Sequence, residues 1–541
     1  MAGLATVFGS GAMSNSITEI ENNDALFVIG SNTTESHPII GLRMKRAVKK
    51  GAKLIVADPR KIPLVKFATL WLRHRPGTDV ALLNSIMHVI LAEELEDKKF
   101  IEARTEGFDE FRKEIAGYTP EEGERITGVP AADIVKSARM YAEAESAGIY
   151  YTMGITQHST GTNNVWSVAN LALLTGNLGR EHCGVNPLRG QNNVQGSSDM
   201  ACAPAVLPGY QKVTDEAVRK KFEKVWLRSV PSEPGLTATE MTDAMIDGNV
   251  KALYIMGENP VISDPHMAHS LKALKSLDFL VVQDIFLTET ARLADVVLPA
   301  ASFAEKDGTF TNTERRVQRV RKAIAPPGDA LDDLSIICRL AGRMGYGMCT
   351  TTPEEIFLEA AALWPGLAGM TYQRLKDGGL QWPCPSPDHP GTRYLFRGKF
   401  PRGKAAFSPV PYTPSKELPD EEYPLVLTTG RILFQYHTGT MTRRSTPLEA
   451  WAREPFIEVN PEDAARLGVA DSDMLTVSSR RGSLNVKAKV TERVASGVVF
   501  MPFHYHEAAA NVLTNDALDP VCKIPEAKVC AVRVEKTAAG V

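Results

Sequence analysis

One phrase occurs twice in this 541-residue chain and limits the folds open to it. Ala25-Leu26-Phe27-Val28-Ile29 runs into Gly30-Ser31-Asn32, and Leu54-Ile55-Val56-Ala57 then ends in Asp58-Pro59-Arg60. Much later, Ala252-Leu253-Tyr254-Ile255-Met256 runs into Gly257-Glu258-Asn259, and Phe279-Leu280-Val281-Val282 ends in Gln283-Asp284. Short, nearly continuous apolar runs of this kind are the signature of strands in a parallel sheet. Between the first pair, Ile40, Met44, Ala47 and Val48 share one helical face, and Gly51 supplies a stop. A second amphipathic stretch, from His266 to Lys275, separates the later pair. Strand-end glycine and strand-end aspartate lie 28 positions apart in the first copy and 27 in the second. Such a pattern also arises independently in α/β chains, but the shared Gly-x-Asn and the spacing favour a related pair. The reading is α/β: two nucleotide-binding lobes, each presenting its ligand site at the carboxyl ends of parallel strands.

Neither strand-end loop carries GxGxxG, which disfavours a standard Rossmann NAD site. Asn32, Ser31 and Asn259 can instead bond a pyrophosphate or a heterocycle edge, and Asp58 and Asp284 are placed to accept from ribose hydroxyls or a base edge. Turn capping explains the two aspartates equally well, since Asp-Pro is itself a turn signal. The run Val185-Asn186-Pro187-Leu188-Arg189-Gly190-Gln191-Asn192-Asn193-Val194-Gln195-Gly196 holds one cation, five side-chain amides and two glycines. It cannot build a core and suits a loop that brings donors close to an oxygen-rich ligand, although in isolation it reads as a solvated turn. Met153-Gly154-Ile155-Thr156-Gln157-His158 closes another strand, Gly148 to Thr152, ahead of a helix from Asn163 to Leu174. Gly154 permits close backbone approach and Gln157 offers an amide, while His158 reads as a helix-entry residue.

After the proline-rich stretches Pro383 to Gly391 and Ser408 to Pro419, taken as surface connections with the second a domain boundary, the period changes. Leu475/Val477 and Leu484/Val486/Ala488/Val490 alternate on either side of Arg480-Arg481-Gly482-Ser483, a hairpin pattern, beside a strand at Phe456–Val459 and a short helix near Pro461 to Leu467. Periodicity alone makes this region β-rich with short helices. Hydrophobic content of 43%, charged content of 23% and a net charge of −3 are those of a globular protein with no basic excess for nucleic acid. No apolar run is long enough for a bilayer span. The seven cysteines (183, 202, 338, 349, 384, 522 and 530) include no CxxC and fit a reducing compartment. Met1 to Ile17 lacks a signal-peptide pattern, so a cytoplasmic location is expected. His504-Tyr505-His506 and His266-x-x-His269 invite a metal reading, but neither has an evident third ligand, and no metal site is assigned.

The arginine-glutamine loop GVNPLRGQNNVQG, together with GAMSNSITEIEN, IVADPRKI, RTEGFDEFRKEIAGYTPEEGERITGV, LTGNLGREHCGVNPLRGQNNVQG, IMGENP, VVQDIF, ADVVLPA and KVCAVRVE, resembles molybdenum- or tungsten-dependent formate dehydrogenases of the molybdopterin oxidoreductase (dimethyl sulfoxide reductase) superfamily. IMGENP and ADVVLPA mark only the wider superfamily. The resemblance runs nearly end to end and implies a six-stranded double-psi β-barrel at the C-terminus, giving an expected organisation of 1–191, first α/β cofactor-binding lobe; 192–400, second α/β lobe with excursions; and 401–541, barrel. It implies a bis-molybdopterin guanine dinucleotide cofactor with Mo or W. Its contacts would come from Gly30, Ser31, Asn32, Glu35, Asp58, Arg60, Gly77, Asp79, Met153, Gly154 and Gln157 in the first lobe. Gly257, Asn259, Gln283, Asp284, Lys306 and Asp333 would serve in the second. Thr429, Gly430, Arg431, His437, Thr438, Asn511 and Lys528 would serve in the barrel.

By the same resemblance Arg189 orients formate, with Gln191 as a second active-site residue. Formate has almost no apolar surface, so charge and hydrogen bonds must hold it, and a guanidinium can grip both carboxylate oxygens. The implied reaction is two-electron oxidation of formate to CO2, or the reverse, with iron–sulfur electron-transfer subunits as partners (NAD-linked, ferredoxin, hydrogenase or membrane-bound). In that family a 4Fe-4S domain, the metal-ligating cysteine or selenocysteine and its neighbouring histidine precede GAMSN, so the expectation is a chain beginning late and inactive alone. Met1 stands where the family has valine, as a GTG start after an in-frame UGA would give; a search of the upstream DNA for that UGA, followed by a His codon, tests this. The alternatives are a nitrate reductase-like oxidoreductase, which the Arg-Gly-Gln-Asn-Asn sequence disfavours, and a non-catalytic structural subunit of an electron-transfer complex, which Arg189 and the strand-end motifs disfavour.

Overall fold

The first apolar run becomes strand β1 (Ala25–Ile29), every residue of which is buried, paired in parallel with β2 (Lys53–Ala57). β3 (Leu70–Leu72), β4 (Ala147–Tyr151) and β5 (Gly184–Pro187) complete a five-stranded sheet of order β3-β2-β1-β4-β5, all pairs parallel. The computed structural model describes residues 1–348 and 351–537; Cys349 lies outside the described residues. Helix α1 (Pro38–Lys49) starts with proline at its first turn, where the missing N–H costs nothing, and packs Ile40, Met44 and Ala47 onto Leu26, Val28, Leu54 and Val56. Contacts divide the chain into two compact units, one of residues 1–190, 262–267 and 394–541, the other of 191–261 and 268–393.

In the second unit β6 (Ala252–Met256), β7 (Phe279–Asp284) and β8 (Val296–Pro299) form a parallel sheet of order β8-β7-β6. Its register reproduces that of the first sheet. Ile29 pairs with Ala57 and Met256 with Gln283, and each following glycine, Gly30 or Gly257, sits at positive φ and donates its N–H to the partner strand's last paired carbonyl. The third strand keeps step too: Ile55 pairs with Leu70 and Val281 with Val296, fifteen residues on in each copy. The repeat seen in the sequence is a repeat of backbone geometry. The two sheets differ in cover. Ile255, Leu280 and Val282 are buried, but Tyr254 and Met256 are 38% and 49% exposed, so β6 is a half-covered strand where β1 is enclosed.

The C-terminal stretch closes into a six-stranded barrel of β9 (Leu425–Gly430), β10 (Phe456–Val459), β11 (Met474–Ser479), β12 (Gly482–Val490), β13 (Val498–Pro502) and β14 (Cys530–Lys536), in the order β9-β13-β10-β12-β11-β14. Two of its pairs, β9–β13 and β10–β12, are parallel, which demands crossovers instead of simple hairpins. Leu425, Leu427, Ile457, Val459, Leu475, Val477, Val499, Val532 and Val534 fill it. The β11–β12 hairpin turns at Arg480-Arg481, as the alternation predicts.

The proline-rich segment before the barrel is more than a surface connection. The side-chain amides of Asn84 on α2 (Asp79–Ala92) and Asn170 on α3 (Gly161–Leu174) donate to the carbonyls of Val410 and Ser408, at 2.8 and 2.7 Å, and Phe407 and Val410 are buried. Polar anchors on helices are invisible to composition, which registers only the prolines. No helix among the described residues is long and apolar enough to cross a membrane.

Candidate active site

The carboxyl ends of the five strands β1 to β5 open into a cavity whose further wall comes from the barrel strands β9 and β13, from Arg431 and Phe503, and from Lys528. Of the residues singled out in the sequence, Gly30, Asn32, Asp58, Arg60, Gly77, Asp79, Met153, Gly154, Gln157, Thr429, Gly430, Arg431 and Lys528 line it. The backbone crosses itself at its floor. The Gly154 N–H donates to the Gly30 carbonyl at 3.1 Å, and a Cβ on Gly154 would stand 2.5 Å from that oxygen, so only glycine fits.

The charges around the cavity are fixed by partners of uneven completeness. Asp58 accepts from the Arg60 N–H at 2.9 Å, the same turn that Asp284 makes with the Phe286 N–H at 3.2 Å. Both aspartates therefore cap turns, and Asp58 also faces the cavity, where burial raises its pKa despite the nearby Arg60. The Arg60 guanidinium lies 3.3 Å from the Phe500 ring centre and pairs with the fully buried Glu458 at 2.8 Å. Arg493 reaches the other Glu458 oxygen at 3.2 Å and Glu35 at 3.0 Å, which places Glu35 in an ion-pair network and outside the cavity wall.

Lys528 donates to the Thr429 carbonyl at 2.6 Å; burial, with the Arg431 charge adding to it, pushes the ammonium down to about 8. Asp79 is held below its ordinary pKa: burial raises it, but the charge and 3.1 Å hydrogen bond of His74 outweigh that, and His74 is raised in turn.

Arg431 comes from the barrel and meets the arginine-glutamine loop. Its Nη1 donates to the Gly190 carbonyl at 3.3 Å, and any side chain at 190 would collide with the guanidinium. Arg189 is held at two points: its carbonyl accepts from His37 Nε2 at 2.7 Å, and its Nη2 donates to the Gly11 carbonyl at 3.1 Å. Leu188 and Gly190, on either side of it, line the cavity.

Other expected residues lie elsewhere. Ser31 is buried next to the wall, with its hydroxyl unpartnered among the described residues. His437, driven down to about 4 by burial and by Arg431, gives its carbonyl to His504 Nδ1, and Thr438 bonds Thr440. Asn511 donates to the Ile262 and Ser263 carbonyls at 2.9 and 3.0 Å, a stitch within the fold. His504 is buried and His506 exposed, so the pair does not share an environment.

Gln191 begins the second unit. There Gln283 bonds Asp333 at 2.6 Å, Asp333 bonds Lys306, and Tyr254 bonds Gln283, gathering three of the expected residues at the end of β7. Gly257 and Asp284 sit at the ends of β6 and β7, while Asn259 is occupied internally by Thr290 and Glu289. Sequence reasoning missed His37, His74 and Phe500 and set His158 aside; all four line the cavity. The His-Pro at 37–38 directly after a strand-end loop was the available signal for the first.

Residues 3–343 match the molybdopterin oxidoreductase family and residues 425–531 the molydopterin dinucleotide binding domain, and the chain belongs to the molybdopterin oxidoreductases. Among its relatives is the F420-dependent formate dehydrogenase subunit alpha of Methanocaldococcus jannaschii, 54% identical over 99% of this chain and 80% of that protein. Formate dehydrogenase H of Escherichia coli is 45% identical over 99% of this chain and 76% of its own length. Acetylene hydratase from Pelobacter acetylenicus, at 22% identity, shares the fold: TM-score 0.77 over 99% of this chain and 80% of that one.

The cavity suits a molybdopterin dinucleotide on its own chemistry. Both amide atoms of Asn32, Nδ1 of His37 and Nη2 of Arg431 are buried without hydrogen-bond partners among the described residues, and all three side chains line the wall. Buried polar groups are rarely left so. A heterocycle with donors and acceptors on one edge and an anionic tail answers that set, with Lys528 and Arg431 to meet the charge.

Proposed function

We propose that this chain is the catalytic part of a formate dehydrogenase alpha subunit. The observation that carries the reading is Arg189, clamped through both its carbonyl and its guanidinium on a loop between two cavity-lining residues. The first lobe and the barrel hold one molybdopterin guanine dinucleotide in the cavity through Gly30, Asn32, Asp58, Gly154, Gln157, Arg431 and Lys528. The Gln283–Asp333–Lys306 cluster, with Gly257 and Asp284, serves a second. The metal is molybdenum or tungsten.

Formate oxidation releases CO2, one proton and two electrons, and the metal–pterin group, when bound, would supply the two-electron acceptor. The chain's own residues bind and orient. Arg189 holds the carboxylate through charge-assisted hydrogen bonds, Gln191 completes the loop, and the packed Gly30–Gly154 floor keeps water out. Among the described residues no group of three His, Cys, Asp or Glu side chains is arranged to hold a metal, and no cysteine lines the cavity. By the family resemblance, the metal's protein ligand, a cysteine or selenocysteine, and the 4Fe-4S cluster are supplied outside these residues, and these residues alone do not turn formate over. Electrons leave to iron–sulfur partner subunits, in the cytoplasm.

The test is Arg189→Lys in the loaded enzyme complex, assayed with formate and with nitrate. Losing the paired geometry removes about 1.5–3 kcal/mol, a rise in formate KM of roughly 10- to 150-fold at 1.4 kcal/mol per decade. An unchanged KM, or nitrate reduction exceeding formate oxidation in the parent, defeats the reading.

A further inference from the structure

His37 stands between the two things the site must bring together. It follows the β1 strand-end loop and immediately precedes α1, which begins at Pro38, so its backbone is fixed by the sheet's first crossover. Its Nε2 lies 2.7 Å from the Arg189 carbonyl. A carbonyl only accepts, so Nε2 carries the proton. In a neutral ring Nδ1 is then an acceptor; it is buried, unpartnered among the described residues, and belongs to a side chain in the cavity wall. The ring is neutral at pH 7, because burial pushes its pKa below the ordinary value and the Arg431 charge adds to that. The tautomer is thus set from the loop side, and Nδ1 keeps a lone pair with no partner among the described residues. Asn32, with both amide atoms in the same state, lines the same wall.

We propose that His37 is a positioning residue that couples cavity occupancy to substrate grip: Nε2–H sets the Arg189 backbone, and Nδ1 accepts from an N–H on the heterocycle edge of the bound pterin. This rests on Arg189 as the formate-binding group. The consequence is that the bound pterin and the arginine loop share one imidazole, which holds the loop through Nε2 and the pterin through Nδ1.

Three substitutions separate the two sides of the ring, because glutamine places its amide where Nε2 stands and asparagine places its amide near Nδ1. In the loaded enzyme complex, formate KM and kcat are measured, and retained cofactor is quantified by releasing the pterin and oxidising it to its fluorescent form. His37→Phe raises formate KM about 3- to 10-fold, the worth of one hydrogen bond, and lowers retained pterin. His37→Gln restores KM but not pterin; His37→Asn restores pterin but not KM. The proposal is overturned if H37F matches the parent in both readouts, or if H37Q and H37N fail in the same way, as they would for a residue that only fills space. Arg189→Ala is run alongside. If it leaves formate KM unchanged, the assignment of Arg189 has failed; if it raises KM while H37F does not, only the coupling has.

Discussion

Two glycines on the cavity wall make opposite demands, and alanine at each measures the difference. On Gly154 the added methyl would stand 2.5 Å from the Gly30 oxygen, 2.6 Å from its Cα and 2.8 Å from its carbonyl carbon, all backbone of the β1 end. Ordinary contact needs nearly an ångström more, so the strand ends must part. Overpacking of that kind costs about 1–3 kcal/mol. The Gly154 N–H and the Thr152 hydroxyl both donate to the Gly30 carbonyl, at 3.1 and 2.8 Å, and weakening them adds about 1 kcal/mol each. Against this, glycine to alanine at an ordinary φ returns about 0.5–1 kcal/mol through the unfolded chain.

The net loss for Gly154→Ala is therefore about 2–4.5 kcal/mol. On Gly190 the methyl meets Nη2, Nη1 and Cζ of Arg431 at 2.7, 2.9 and 3.0 Å, the far end of a flexible side chain that can swing away. Gly190→Ala should change stability by less than about 1 kcal/mol while displacing Arg431 and lowering retained pterin. Urea unfolding, followed by amide exchange in peptides covering Ala25–Ile29 and Ala147–Tyr151, compares the two. Equal stability of the two variants, or a less stable Gly190→Ala, would refute the backbone-against-side-chain argument.

Glu458 neutralises the buried Arg60 and reaches Arg493, so Glu458→Ala strands a buried charge and should cost about 3–5 kcal/mol, whereas a paired Arg60→Met/Glu458→Met variant recovers most of it; urea midpoints decide. Lys528 is depressed to about 8 in the folded chain against about 10.5 unfolded, so the cofactor-free chain gains stability as pH rises from 8 towards 10.5, where only the unfolded form still holds the proton. Lys528→Met should flatten that rise, stabilise the cofactor-free chain at pH 7 and weaken retention of the anionic cofactor; a thermal-melt series from pH 7 to 10 with and without cofactor reads all three.

Much of the first lobe was legible because its strands are continuous apolar runs whose meaning depends on nothing distant. The glycine–aspartate repeat was legible for the same reason, and the shared register shows that the two spacings, 28 and 27, reflect matched strand pairs. What could not be seen depends on partners far along the chain. Arg60 was expected on a cofactor, but how firmly it is anchored depends on Glu458 and Phe500, some four hundred positions away. His37 looks like a polar residue before a helix until Arg189 is placed against it. Asn259 shares its motif with Asn32, yet Thr290 and Glu289 occupy it, a difference that lies in residues outside the motif. The barrel's strand order was beyond periodicity, which reports alternation but not which edges meet.

The cavity wall draws on residues from Gly30 to Lys528, and β9 lies between β13 and β14, the last strand. Every residue from Gly30 to Lys528 must therefore be made before the pocket has all its sides. The first sheet can form early, but it waits as an open shelf with its unpartnered amide and imidazole in water. Enclosure of a large group is deferred by topology until Lys528, far along the chain from Arg431, joins the wall.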